Sequence, residues 1–169
     1  HFGPDGCLYI IDWYNKIISH NEVARNHPDR DKSSGRIWRL KPKGFRSREV
    51  PDYTRLRSEE LLARLGSPVT ADAHLAWQTL ADRKPDSSTT QTLLSIVRDP
   101  AAPAARQIQA LWTLGWQKNF PLDVVPGLLK SKNRNVRREA VLLVREAGAA
   151  STHLQVLRSL AGDVDTEVR

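Results

Sequence analysis

Turn residues and short apolar runs alternate along the first forty residues. The sequence "GPDG" at residues 3–6 favours a turn, because Pro fixes φ, Asp bonds to its own backbone and Gly tolerates positive φ. The run "CLYIIDW" at residues 7–13 is rich in β-branched and aromatic residues, which predicts a strand that is apolar on both faces. Residues 16–20 are predicted to return as its partner in a short hairpin, and "RIWRLKP" at residues 36–42 as a third strand.

From about residue 54 the apolar period changes from two to near 3.6, which is typical of amphipathic helices. Four stretches with this period begin with Ser or Pro, residues that favour a helix N-terminus: "SEELLARLGS", "STTQTLLSIVRDP", "PLDVVPGLLKSK" and "STHLQVLRSLAGD". Each except the last is followed by a second apolar-periodic stretch. Residues 55–169 are therefore predicted to form three helix pairs and an unfinished fourth.

The stretches recur at a regular interval, which indicates an internal repeat. Two apolar columns have spacings of 31 or 32 residues: Leu62, Leu94, Val125, Leu157 and Leu65, Val97, Leu128, Leu160. A third column marks the start of each second helix: His74, Arg106, Arg137, Arg169. One helix pair buries a single face, so neighbouring pairs are predicted to stack as a right-handed α-solenoid with the apolar columns inside.

Composition is that of a globular protein, with 40% apolar and 27% charged residues among 169. No apolar run reaches the roughly 18 residues needed to span a bilayer. The chain has no methionine and begins at His1, so we expect it to be an internal segment of a longer chain. Its single cysteine, Cys7, lies on the apolar strand and is predicted to be a small core residue, which leaves the redox compartment undetermined.

The net charge of +7 is spread along the chain rather than concentrated in a basic arm. Its densest cluster is a candidate patch for an anion or an acidic partner, referred to below as the basic patch: Lys130, Lys132, Arg134, Arg137 and Arg138. A solvated turn followed by the exposed start of a helix explains the same cluster and is the favoured interpretation. Binding of nucleic acid by a basic solenoid is the weaker functional alternative.

The three tryptophans of the helical part, Trp77, Trp112 and Trp116, occur within apolar-periodic stretches. Helical spacing of this kind indicates packing between repeats more often than a platform for stacking a ligand. No Ser/His/Asp arrangement, phosphate-binding Gly-rich loop or close carboxylate pair is present, so we predict no catalytic residue and no metal site in this chain.

The turns between the paired helices carry a resemblance to HEAT repeats. "RDPAAPAAR", "SKNRNVRREA" and "GDVDTEVR" are similar to the HEAT pattern in which Asp or Asn, followed by Val-Arg, opens the second helix. The resemblance covers about residues 55–169, and the first repeat diverges most, since His74 stands where the others have Arg. It implies an armadillo-like α-solenoid that engages in protein–protein interaction.

The N-terminal part resembles a different module. "GPDGCLYIIDWYNKIISH" followed by "RDKSSGRIWRLKPKG" is similar to the last blade of the β-propeller in the membrane-bound dehydrogenase-like family, whose propellers are related to quinoprotein glucose and sorbosone dehydrogenases. In that family the propeller continues into HEAT-like repeats, and many members end in a c-type cytochrome domain with a Cys-x-x-Cys-His motif. The resemblance implies a periplasmic or cell-surface parent protein, with haem c and a quinone or calcium bound outside this chain.

A propeller blade would place several side chains of residues 12–31 near the mouth of the propeller. Asp12 ends the first strand, and it either lies near a substrate or metal or, as the favoured alternative, ties down the following turn. His20 and Asp31 are donors in the long connector, in a spacing that matches no metal motif. Arg30 either clamps an anionic substrate or, more simply, pairs with a neighbouring carboxylate.

These observations predict an α+β fragment, mainly α, in which a partial β-propeller blade precedes a HEAT-type α-solenoid. The expected domains are an incomplete last blade (1–44), a linker (45–54) and about three and a half helical repeats (55–169). The expected function is a structural and interaction segment of a propeller–HEAT–cytochrome c protein, which carries no dehydrogenase activity by itself. The alternative is a non-enzymatic HEAT scaffold that binds proteins.

Overall fold

The computed structural model describes residues 1–12, 16–17, 23–119 and 122–169. They form two compact units, His1–Val50 and Pro51–Arg169, and the boundary between the units falls inside the predicted linker. The first unit contains a small antiparallel sheet and the second is helical. The predicted class, α+β and mainly α, is therefore confirmed.

Two strands form the sheet of the N-terminal unit, β1 (Leu8–Asp12) and β2 (Arg36–Leu40). They pair antiparallel, with Leu8 opposite Leu40 and Ile10 opposite Trp38 on one face. The apolar pairs on that face hold the register, together with the ion pair between Asp12 and Arg36 at its end. Directly opposed side chains are the main interacting pairs in a sheet.

The predicted hairpin differs from the observed pairing. In the described part of the chain, β1 pairs with β2, and Lys16 and Ile17 belong to no strand. The remainder of the predicted return strand, residues 18–20, lies outside the described residues. The side-chain pairs between β1 and β2 join residues more than twenty positions apart, and a hairpin pattern read from neighbouring residues does not detect them.

The C-terminal unit contains seven described α-helices and three short 3₁₀ helices. The α-helices are α1 (Ser58–Arg64), α2 (Thr70–Asp82), α3 (Ser87–Arg98), α4 (Ala104–Trp116), α5 (Val125–Leu128), α6 (Arg134–Glu146) and α7 (Leu154–Ser159). The 3₁₀ helices are Tyr53–Arg55, Leu122–Val124 and Leu160–Gly162. Three helix pairs and the first helix of a fourth pair thus follow one another along the chain, as the periodicity predicted.

Local chemistry explains several of the helix starts. The Asp86 carboxylate accepts a 2.8 Å hydrogen bond from the Thr89 amide at the start of α3, and the Asn133 side chain accepts one of 2.9 Å from the Asn135 amide at the start of α6. Such caps satisfy amide groups that have no partner within the helix.

A continuous core runs through the helical unit. Within each pair the two helices contact each other, and the second helices α2, α4 and α6 also contact in succession. The column Leu65, Val97, Leu128 and Leu160 is buried at every position. Of the other column, Leu62 and Val125 are buried, whereas Leu94 and Leu157 are half-buried against the core.

Two side chains differ from the burial that their spacing predicted. Leu94 is half-buried because the inward face of α3 is formed by Thr89, Leu93 and Val97, and Leu94 lies to one side of that face. Trp116, predicted to pack between repeats, is 66% exposed at the last position of α4. Trp77 and Trp112 do pack against the core.

The first helix of the third pair is shorter than its equivalents. Its α-helical part has four residues, against twelve in α3, and it contains Pro126 and Gly127. Proline provides no backbone N–H and glycine has a low helix propensity, so this sequence supports only a short helix. Among the described residues no helix has the length and apolar character required to cross a membrane.

Candidate functional site

Asp12, the first predicted propeller-mouth residue, bonds to β2. Its carboxylate lies 2.9 Å from Arg36 and accepts a 3.0 Å hydrogen bond from the Trp38 indole N–H. The Arg36 guanidinium also lies over the Trp38 ring, 5.4 Å from the ring centroid. Asp12 therefore closes one end of the two-stranded sheet.

Arg30 and Asp31 lie in the connector between the strands. Arg30 donates to the carbonyls of Val23 and Ala24, and Asp31 accepts from the Ser33 and Ser34 amides. Hydrogen bonds from Ser34 and then Ser33 lower the pKa of Asp31 to about 2. The carboxylate is thus an ionised capping group of its own turn.

The connector also forms an open cavity of about 710 Å³, whose lining includes His27, Asp29, Arg30 and Asp31. The structure therefore brings Arg30 and Asp31 together, while Asp12 lies outside this lining. His20 is outside the described residues. Over the described ranges, no group of three or more His, Cys, Asp or Glu side chains is placed to hold a metal ion.

The cofactors implied by the family resemblance require residues beyond this chain. Covalent attachment of haem c needs two cysteines in a Cys-x-x-Cys-His motif, whereas this chain has only Cys7, which is buried. The residues present therefore do not fit a c-type haem. Haem, quinone and calcium remain predictions about the parent protein.

A buried carboxylate that was predicted only as a turn residue organises the N-terminal unit. Asp5 is 4% exposed and accepts hydrogen bonds from the Cys7 amide, the Tyr9 hydroxyl and both Nε and Nη2 of Arg39. The bond from the Cys7 amide, supported by those from Tyr9 and Arg39, holds the Asp5 pKa well below its usual range. The "GPDG" turn indicated the local bond, but no sequence signal indicated Arg39, 34 residues away.

In the basic patch, three arginines at the start of α6 pair with a short acidic turn. Arg137 forms two 2.7 Å hydrogen bonds with Asp163, and Arg134 lies 2.9 Å from Asp165. Arg138 lies 2.7 Å from Glu167. We refer to residues 163–167 as the acidic turn. The alternation of Asp163, Asp165 and Glu167 was the available sequence signal for this contact.

The contacts between α6 and the acidic turn favour the charged forms of the carboxylates. Hydrogen bonds from Arg137, then from the Asp165 amide, lower the pKa of Asp163, and the bond from Arg134 lowers the pKa of Asp165. Arg137 also donates to the carbonyls of Ser131 and Lys132, which fixes its guanidinium against the preceding turn. These three arginines therefore hold α6 against the acidic turn.

The two lysines of the basic patch have different surroundings. Lys130 and Lys132 are exposed and line a cavity of about 730 Å³ between the second and third helix pairs, with Val97 and Leu128 among its apolar walls. In the part of the chain that the structure describes, neither lysine has an ion-pair partner. This cavity is referred to below as the junction cavity.

A further polar contact joins the second helices. The Trp112 indole donates a 2.9 Å hydrogen bond to Glu139, whose other carboxylate oxygen accepts from Arg138. The helical periodicity identified Trp112 as a packing residue but did not indicate its polar partner.

Comparison with known proteins finds a match for the N-terminal unit. Residues 1–44 match a family model described as a domain of unknown function (DUF7133). The matched segment contains both strands and the connector, whereas the helical unit lies outside it. No curated protein and no solved structure matches this chain.

Proposed function

We propose that this chain is a structural and interaction segment of a larger propeller–HEAT–cytochrome c protein related to quinoprotein-type dehydrogenases. Its N-terminal unit would complete a β-propeller as the last blade, and its helical unit would act as a HEAT-type solenoid that positions a neighbouring domain. A periplasmic or cell-surface location belongs to the same proposal. The chain itself contributes no reacting group to the dehydrogenase chemistry.

The observation that carries this proposal is the exposure of the sheet on both faces. Ile10 and Trp38 are exposed on one face, and Ile11 and Ile37 are 79% and 71% exposed on the other. A two-stranded sheet is at best marginally stable alone, and exposed apolar surface costs roughly 25 cal/mol per Å² relative to burial. Neighbouring strands and blades of a propeller would bury these side chains.

The helical unit supports the solenoid part of the proposal. Buried residues recur at the repeat interval, and the second helices contact one another in order. In repeat proteins each unit packs mainly on its neighbours, which creates an extended surface for partners. The edge formed by the turns within the pairs carries the junction cavity and the exposed lysines.

Cross-linking of the complete natural protein tests the proposal. A lysine-reactive reagent applied to the native membrane fraction, followed by mass spectrometry, is expected to join Lys41 or Lys43 to preceding propeller segments. Lys130 or Lys132 is expected to be cross-linked to a downstream domain that contains Cys-x-x-Cys-His. The absorption spectrum of that domain is expected to show a haem Soret band. A complete protein without preceding propeller segments would overturn the proposal.

The same experiment separates the alternative of a HEAT scaffold without an enzymatic parent. That alternative predicts cross-links from the helical unit to a separate protein and no haem motif in the reading frame. Nucleic-acid binding is less favoured, because Arg134, Arg137 and Arg138 already pair with the acidic turn and do not form a continuous row of unpaired cations.

A further inference from the structure

The helical unit has a junction wherever one helix pair contacts the next segment of the chain. Two successive junctions differ in charge. At the junction after the third pair, the acidic turn supplies carboxylates to the arginines of α6. One repeat earlier, the position equivalent to Arg137 is Arg106, 31 residues before it. The positions equivalent to Asp163 and Asp165 are Ser131 and Asn133, 32 residues before them. Neutral side chains thus replace both carboxylates at the earlier junction, and Lys130 and Lys132 flank Ser131 there.

The contacts agree with this difference. In the described part of the molecule, the buried Nε of Arg106 has no hydrogen-bond partner, whereas Arg137 forms a two-bond pair with Asp163. Lys130 and Lys132 also lack a carboxylate partner there. The earlier junction therefore carries positive charge that no described carboxylate neutralises.

The junction cavity lies between the same two helix pairs, and Arg106 is outside its lining. Its walls include the buried side chains of Val97 and Leu128, its rim carries Lys130 and Lys132, and Arg98 is paired with Asp123 at 2.9 Å. A volume of about 730 Å³ is within the range of about 300–1,000 Å³ typical of ligand sites. Gly127 belongs to the lining, and outside its own helix and chain neighbours no atom lies within 4 Å of a Cβ placed on it.

We infer that the junction cavity binds an acidic segment of a partner polypeptide. One carboxylate of that segment interacts with Lys130 and Lys132, and a neighbouring apolar side chain packs against Ala102 and Ala104, which are partly exposed in the same lining. The acidic turn shows the same chemistry within this molecule, since its alternating carboxylates pair with the arginines at the start of α6. The inference rests on the proposed scaffold function and specifies the chemistry of the partner.

A peptide with the sequence of residues 162–168 is a suitable probe, because it contains two aspartates, one glutamate and two valines. Fluorescence anisotropy with the labelled, terminally blocked peptide and the whole 169-residue chain is expected to show saturable binding. A peptide with Asn and Gln in place of the acids is expected to bind at least about tenfold more weakly, since about 1.4 kcal/mol corresponds to tenfold in affinity.

Two variants assign the binding to the cavity. Lys130→Glu combined with Lys132→Glu removes the positive rim, and Gly127→Phe fills the cavity from a position where a side chain meets no neighbour. Each is expected to weaken peptide binding by about tenfold or more. The matched controls are Lys84→Glu with Arg158→Glu, two exposed cations outside the lining, and Gly162→Phe, a glycine with equally open surroundings.

The outcomes are distinct. Absence of saturable binding, equal loss in the controls, or binding that survives both cavity variants would overturn the inference. Competition by a single-stranded oligonucleotide as effective as that by the peptide would also overturn it in favour of nucleic acid. Failure here together with the expected cross-links in the parent protein would leave the proposed function standing, because cross-linking does not depend on the chemistry of this cavity.

Discussion

Arg137 and Asp163 are joined by two parallel hydrogen bonds of 2.7 Å across the junction between the third helix pair and the chain that follows it. Both side chains are about nine-tenths buried, with exposed fractions of 11% and 8%. A bidentate guanidinium–carboxylate pair is directional as well as strong, so it fixes both the spacing and the orientation of the two segments. Arg137 is thus a structural link between α6 and the acidic turn.

Replacing Asp163 with Asn is expected to destabilise the helical unit. The change removes the charge from the nine-tenths-buried partner of Arg137 while keeping its size, and a Tm lower by roughly 5 °C is expected for a chain of this length. Thermal unfolding followed by circular dichroism measures the change. The control is Glu146→Gln, because the Arg145–Glu146 pair is exposed and should contribute little. Equal shifts in both variants would contradict the structural role of the Arg137–Asp163 pair.

Stability is expected to fall in acid because of the same junction. The pKa values of Asp163 and Asp165 are lowered in the folded state by Arg137 and Arg134 respectively. Their contribution is therefore present above the unfolded-state pKa of about 3.9 and is lost as the pH falls through the lower folded-state values. Urea unfolding between pH 6 and pH 2.5 should show this loss. The double variant Asp163→Asn, Asp165→Asn should show a smaller dependence, and an unchanged dependence would refute the assignment.

Gly66→Ala is expected to destabilise the protein by about 2 kcal/mol. Gly66 has a φ of +76°, and an added Cβ would lie 2.7 Å from the Cβ of Arg106 and 3.1 Å from its backbone N and Cα. Both the left-handed conformation and the contact with α4 therefore oppose any side chain. Gly127→Ala is the control, since it adds a helix-favouring residue in open space and should stabilise by about 0.5 kcal/mol. Urea unfolding of both variants checks the contrast.

The sheet of the N-terminal unit is expected to exchange its amide hydrogens faster than the core helices. Every residue of β2 is exposed, whereas α4 contributes fully buried side chains such as Leu111 and Leu114. Few buried contacts permit local opening at low free energy. Hydrogen exchange followed by mass spectrometry on the whole chain would measure this difference. Equal protection in β1, β2 and α4 would contradict this expectation.

For the helical unit, the amino-acid sequence alone determined the number of helix pairs and most of the core. The hydrogen bonds and caps of a helix join residues close in the chain. A 3.6-residue apolar period indicates which side of the helix is buried. Leu65, Val97 and Leu128 were accordingly identified as core residues from their spacing, and the structure confirms their burial. For the N-terminal unit, the same approach found the strands but not their pairing, because strand partners are chosen by residues far apart in the chain.

Tertiary structure alone decided the features that depend on distant contacts. The pairing of Arg137 with Asp163 joins residues 26 positions apart, and that of Asp5 with Arg39 joins residues 34 apart. The junction cavity likewise brings together side chains of two helix pairs, among them Val97 and Leu128, which are 31 positions apart. Periodicity specifies which face of each helix is buried. The position of one repeat against the next depends on the side chains that meet there, and these determine which charges are paired and which remain available to a partner.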